Sequence, residues 1–141
     1  MLQILVVLLA AMAQAELFGP QVISLNDANF EAETKKHSYM LIFFYAEWCP
    51  HCKGIAPQFA RAAANMRRLT PQVVFGSVDV GYAKTNPNLK KKFKIRGFPT
   101  LMWMEQGKLV KWYDESLSSS KVMQRWVWAR LPAQMKSDKN N

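Results

Sequence analysis

Only two cysteines occur in the 141 residues, Cys49 and Cys52, with Pro50 and His51 between them. Small secreted domains held by disulfide staples spread many cysteines along the chain, so that class of scaffold is excluded. A bridge inside "CPHC" closes a loop too small to remove much entropy from the unfolded state. Chemistry accounts for the pair better than a structural disulfide does. Covalent haem needs CxxCH, and Lys53 follows Cys52. Structural zinc needs about four ligands, whereas the chain has two Cys and two His, with His37 far from the pair; no metal is expected. After residue 15 no apolar run approaches the about 20 residues of a membrane-crossing helix. There is no Asn-x-Ser/Thr acceptor, no internal repeat and no KDEL-type ending. Low-complexity sequence is confined to "MKSDKNN". Acidic residues are few: 10 Asp and Glu against 19 Lys and Arg, a net charge of +9. The excess lies in "RAAANMRR" and "KKKFKIR". With no nucleic-acid motif and no interleaved aromatics, these read as solvated helix faces. Nucleic acid is not an expected partner; steering of acidic client chains is a milder possibility.

What is present begins with "MLQILVVLLAAMAQA", uncharged, apolar from Ile4 to Ala13, and ending in the small-x-small triplet Ala13-Gln14-Ala15. It reads as a cleaved secretory signal over 1–15, although its n-region carries no Lys or Arg. A buried N-terminal helix or a short anchor is the other reading. The remainder divides into one domain over 16–131 and a polar, frayed tail over 132–141.

Along the domain, "QVISL" reads as a strand, and "NDANFEAETKK" as a helix capped by Asn26 or Asp27. The unbroken apolar run Tyr39 to Ala46 suits a central strand buried on both faces. Ile55, Phe59, Ala62, Met66 and Leu69 repeat at helical spacing, giving an amphipathic helix from about Pro50 to Leu69 with Pro57 inside it. "PQVVFGSVDV" is a second central strand, and "NLKKKFKI" a short helix. "PTLMWMEQGKLVKWY" is a hairpin turning at Gln106-Gly107, and "SSSKVMQRWVWARL" a Ser-capped helix. Trp103, Trp112, Trp126 and Trp128 are assigned mostly to packing. Alternating strands and helices closed by a hairpin and a helix specify an α/β layered fold with a mixed sheet.

"FFYAEWCPHCKGIAPQF", "IRGFPT" and "EQGKLVKWY", in that order, resemble the thioredoxin superfamily and, within it, the protein disulfide isomerase-like domains. The resemblance spans about Gln21 to Leu131. It implies a thioredoxin fold, a central mixed β-sheet flanked by helices on both faces. It also implies a redox-active Cys49–Cys52 disulfide and no other cofactor. By the same resemblance Trp48, Gly97, Phe98 and Pro99 would surround the disulfide and bind substrate, with Pro99 cis and the Phe98 backbone pairing with an extended client.

At a strand-to-helix junction, the helix N-terminus favours a Cys49 thiolate, the species that attacks disulfides. Cys49 is expected to be the exposed nucleophile and Cys52 the buried resolving thiol. Pro50 and His51 would tune the pair: Pro-His is the dipeptide of the bacterial periplasmic oxidant, while Gly-His is usual in isomerases. Where related domains often carry a buried carboxylate this chain has Phe43, and where they carry its basic partner it has Ser77. Glu47 is the candidate proton acceptor for Cys52. "YDESLSSSK" also lacks the Arg often found before the last helix.

The expected function is a thiol–disulfide oxidoreductase of the secretory pathway, in the endoplasmic reticulum lumen or secreted. It would be a monomer that oxidises or isomerises client proteins and is recycled by glutathione or a redox partner. A reductase of thioredoxin type and a redox-independent client-binding chaperone are the alternatives.

Overall fold

A computed structural model describes residues 3–4 and 17–137. The expected signal segment lies outside the described residues apart from Gln3 and Ile4.

Five strands form one sheet in the order β1-β3-β2-β4-β5: β1 Val22–Leu25, β2 Tyr39–Tyr45, β3 Val73–Asp79, β4 Thr100–Glu105 and β5 Lys108–Trp112. β1 and β2 run parallel to β3, whereas β4 is antiparallel to β2 and β5 to β4. The sheet is therefore mixed, as expected. β2 is central, and every residue from Met40 to Tyr45 is buried, which explains why its sequence is apolar without alternation.

The side chains of β2 alternate between two cores. Leu41, Phe43 and Tyr45 meet Phe59 and Met66 of α2 (Pro50–Leu69) and Met123 and Val127 of α4 (Ser120–Arg130). Met40, Ile42 and Phe44 face the other way, toward Phe30 of α1 (Phe30–Lys36) and Leu89 of α3 (Pro87–Lys92). Phe18, which precedes β1, closes the first core with edge-on contacts to Phe43, Tyr45 and Phe59 at 5.3, 4.8 and 5.9 Å. The β4–β5 turn has positive φ at both Gln106 (51°) and Gly107 (77°), the conformation that two-residue hairpins favour.

Three expectations need correction. Helix α1 starts at Phe30 after Asn29, not after Asn26 or Asp27. The Asn26 side chain instead accepts from the Ala28 and Asn29 amides in a local turn. Asp27 caps a different helix, its two carboxylate oxygens accepting from Asn88 and Leu89 at the start of α3; those amides have no partner within their own helix. Trp112 is not core, because β5 is an edge strand exposed throughout. The chain after Leu131 is not simply frayed: Ala133–Ser137 forms α5, and Met135 packs against the first core.

Candidate active site

Cys49 is the N-cap of α2, and Pro50 occupies the first turn, where an absent N–H leaves nothing unpaired. This local chemistry fixes the helix start at the cysteine pair. The Cys49 amide donates to the Ala46 carbonyl at 3.1 Å, closing the turn that links β2 to α2. The Cys49 sulfur accepts from the Cys52 backbone N–H at 3.5 Å. Both cysteines are free thiols.

The two thiols differ sharply. The Cys52 and His51 backbone N–H groups and the Cys52 thiol hold the Cys49 thiol below its ordinary range, with the Cys52 N–H the largest influence. Burial pushes Cys52 up to about 12, against the opposing N–H of Ala46. Cys49 was expected to be openly exposed; it retains 9 % exposure and Cys52 none. Of the two cysteines only Cys49 reaches the surface, and burial favours the neutral thiol of Cys52. His51 is exposed, and its influence on Cys49 runs through the backbone N–H.

Trp48, next to Cys49 in the chain, links the active-site turn to the Gly97–Pro99 segment. Trp48 is half exposed, and its indole N–H donates to the Gly81 carbonyl at 2.9 Å. Its ring meets Phe98 edge-on at 5.4 Å. Phe98 and Pro99 are joined by a cis peptide bond, and the Thr100 hydroxyl donates to the Gly97 carbonyl at 2.7 Å, tying off that turn. Among the described residues, neither the amide nor the carbonyl of Phe98 is hydrogen-bonded.

Glu47 is exposed. Its charge bears on Tyr45 and Asp79, raising both, although burial is the larger cause in each. The influences on Cys52 are burial, nearby backbone amides and Cys49. Phe43 and Ser77 are register partners on β2 and β3 and both are buried, so the interior beneath the pair has an aromatic ring where related domains often have a carboxylate.

Two contributors escaped the sequence reading. Asp79 Oδ1 accepts from the Gly81 amide at 2.8 Å, and Gly81 in turn holds Trp48. Glycine after a strand signals a turn, but only the folded chain shows that this turn abuts the active-site loop. A groove of about 570 Å³ also lies beside His51, lined by Pro50, Gly54, Gln58 and the 115–118 loop. Among the described residues, no group of three or more His, Cys, Asp or Glu is placed to hold a metal ion. No helix there is long and apolar enough to cross a membrane.

A mixed sheet with helices on both faces, a Cys-x-x-Cys helix cap and a cis-proline turn before β4 define the thioredoxin class of fold. The thioredoxin family model matches residues 21–127, and the chain belongs to that family. Protein disulfide-isomerase of Datisca glomerata is 37 % identical over 93 residues, 65 % of this chain and 18 % of that protein. The Gallus gallus protein disulfide-isomerase is 36 % identical over 105 residues, 73 % of this chain and 20 % of that protein. The chain thus spans about a fifth of the curated relatives it matches. The first thioredoxin domain of mouse protein disulfide-isomerase A4 superposes with a TM-score of 0.67 at 30 % identity, over 77 % of this chain and 74 % of that domain. Human ERp44 in a zinc-bound form shares the fold, with a TM-score of 0.73 at 23 % identity over 80 % of this chain and 31 % of ERp44.

Proposed function

We propose that the chain is a thiol–disulfide oxidoreductase that oxidises or isomerises disulfides in client proteins. The carrying observation is the asymmetry of the pair, a Cys49 thiol lowered at a helix cap over a buried Cys52 held protonated. The Cys49 thiolate attacks one sulfur of a client disulfide, and a mixed disulfide forms as the other client sulfur leaves as a thiolate. Cys52 then gives up its proton and attacks Cys49, releasing the second client thiolate and leaving the Cys49–Cys52 disulfide. Oxidation of a client dithiol runs these steps in reverse. In isomerisation the mixed disulfide is resolved by another client thiol, and the pair ends reduced.

Trp48 and Phe98 give a client an aromatic floor, and the unpaired Phe98 backbone suits an extended segment. Glu47, an exposed carboxylate two residues before Cys49, serves as the proposed proton acceptor for Cys52, through solvent. Pro50 and His51 tune the pair toward oxidation. The N-terminal segment 1–15 supports a secretory route, to the endoplasmic reticulum lumen or outside the cell. Glutathione or a redox partner would recycle the pair; no cofactor is required, and the domain acts as a monomer.

The test is the Cys49→Ser, Cys52→Ser double variant in a client-oxidation and refolding assay. Loss of activity supports the redox reading. Full retention would sink it in favour of a client-binding chaperone, which the exposed aromatics Trp48 and Tyr82 would then serve.

A further inference from the structure

Most carboxylates of the described residues are already engaged. Glu31 pairs with Lys35, Glu33 with Lys36 and His37, and Asp114 with Lys111 and Arg130. Glu105 accepts from Trp103, Asp79 from Gly81, and Asp27 from the first amides of α3. Most cations are left without such partners, and one group of them lies close together in sequence. Among the described residues Lys84, Lys90, Lys91, Lys92, Lys94 and Arg96 form no ion pair. All but Lys90 are exposed.

Complementing the helix dipole accounts for the lysines of the last turn of α3, and Lys92 also lies over the Phe93 ring at 5.5 Å. Neither accounts for Lys94 and Arg96, which follow the helix. Of the acidic groups beside α3, Glu31 is already bonded to Lys35 and Asp27 already caps the helix. Two of these cations lie close in sequence to the residues that meet Trp48. Arg96 stands two residues before Phe98, whose ring meets Trp48, and Lys84 lies in the loop after Gly81, whose carbonyl holds Trp48.

We propose that Lys84, Lys91, Lys92, Lys94 and Arg96 form a docking strip for acidic segments of client polypeptides, giving Cys49 a preference for sulfurs flanked by Asp and Glu. This rests on the oxidoreductase reading above. Unpaired surface charge beside a reactive group raises encounter rates with oppositely charged partners and loses that effect as salt screens it. A polypeptide fits better than a nucleic acid or a membrane, because it alone presents an acidic side chain and a sulfur together to the open Phe98 backbone.

The experiment uses the full chain, reduced, and three peptides carrying the same cysteine-linked disulfide with acidic, neutral or basic flanks. Rates are normalised to those of dithiothreitol with each peptide. At about 20 mM salt the acidic peptide reacts about tenfold faster than the basic one, and at about 0.5 M the gap closes. The Lys91→Ser, Lys92→Ser, Lys94→Ser variant narrows the gap and leaves the neutral peptide's rate unchanged. Equal rates for all three peptides, or a preference the triple variant does not reduce, would overturn the proposal. Failure of the neutral peptide to react would instead sink the oxidoreductase reading. The strip is then judged by anisotropy with a cysteine-free acidic peptide: binding lost in the triple variant supports it, and no binding overturns it. A DNA duplex that displaces the acidic peptide at equal concentration would assign the strip to nucleic acid and overturn the proposal.

Discussion

The Trp48 indole N–H donates to the Gly81 carbonyl oxygen at 2.9 Å, so the loop after β3 holds the aromatic ring beside the nucleophile. The approach is close. A Cβ on Gly81 would lie 2.9 Å from the Ala46 Cβ and 3.0 Å from the Trp48 indole nitrogen. Gly81→Ala therefore destabilises the domain by about 1–3 kcal/mol and shifts the Trp48 fluorescence obtained by difference against Trp48→Phe. Gly54→Ala is the control: it lies in α2 with open space around it and should stabilise by about 0.5–1 kcal/mol. Denaturant midpoints of the two variants moving in the same direction would contradict this.

The unequal thiols predict separate titrations. In the reduced protein Cys49 is alkylated with a pH midpoint below the ordinary thiol value of about 8.5, and Cys52 stays unreactive until the fold opens. The stability consequences have opposite signs. The lowered Cys49 stabilises the reduced fold above the unfolded thiol pKa, and that contribution is lost as pH falls through its folded value. The raised Cys52 contributes stability below the unfolded thiol pKa, and this is lost as pH rises toward about 12. Mass-resolved alkylation against pH checks the order, and equal reactivity of the two thiols would refute it.

The Phe43–Ser77 pair predicts a slow resolving step. Phe43 is fully buried beside Ser77, so Phe43→Glu alone buries an unpaired charge and costs about 3 kcal/mol or more. The Phe43→Glu, Ser77→Lys double variant supplies a buried acid–base pair, and should accelerate release of a trapped mixed disulfide near neutral pH. Stopped-flow quenching measures that release; an unchanged rate in a folded double variant counts against the account.

The loop before α4 is anchored by Trp126, whose indole N–H donates to Asp114 Oδ1 at 2.7 Å while the Arg130 guanidinium lies 3.3 Å from its ring centre. Arg130→Gln should lower stability by about 1 kcal/mol. Trp126 and the neighbouring cations hold the Asp114 carboxyl below its usual range, so its contribution is present above about 3.9 and fades as pH falls through the lower folded value. Asp114→Asn should flatten that acid limb of the stability profile, and an unaltered limb would exclude Asp114 as its source.

Much of this was legible in the chain because local chemistry and pattern agreed. The unbroken run from Tyr39 announced a strand covered on both faces, and Pro50 with the periodic Ile55, Phe59 and Met66 announced α2. Gln106-Gly107 announced the turn. Asp27 was misread because its carboxylate serves amides about 60 positions away, a partner no local window contains. Trp112 was misread because hydrophobicity does not tell an edge strand from a central one. Asp79 and Gly81 passed unnoticed because their contact with the active-site loop exists only after β2 and β3 pair.

The most direct test is the reduction potential of Cys49–Cys52, titrated in glutathione buffers and followed by Trp48 fluorescence. The account predicts a reversible two-electron transition more oxidising than about −200 mV, in the range of disulfide donors and isomerases. A value near about −270 mV would make the chain a reductase, and the absence of any reversible transition would contradict the redox function itself.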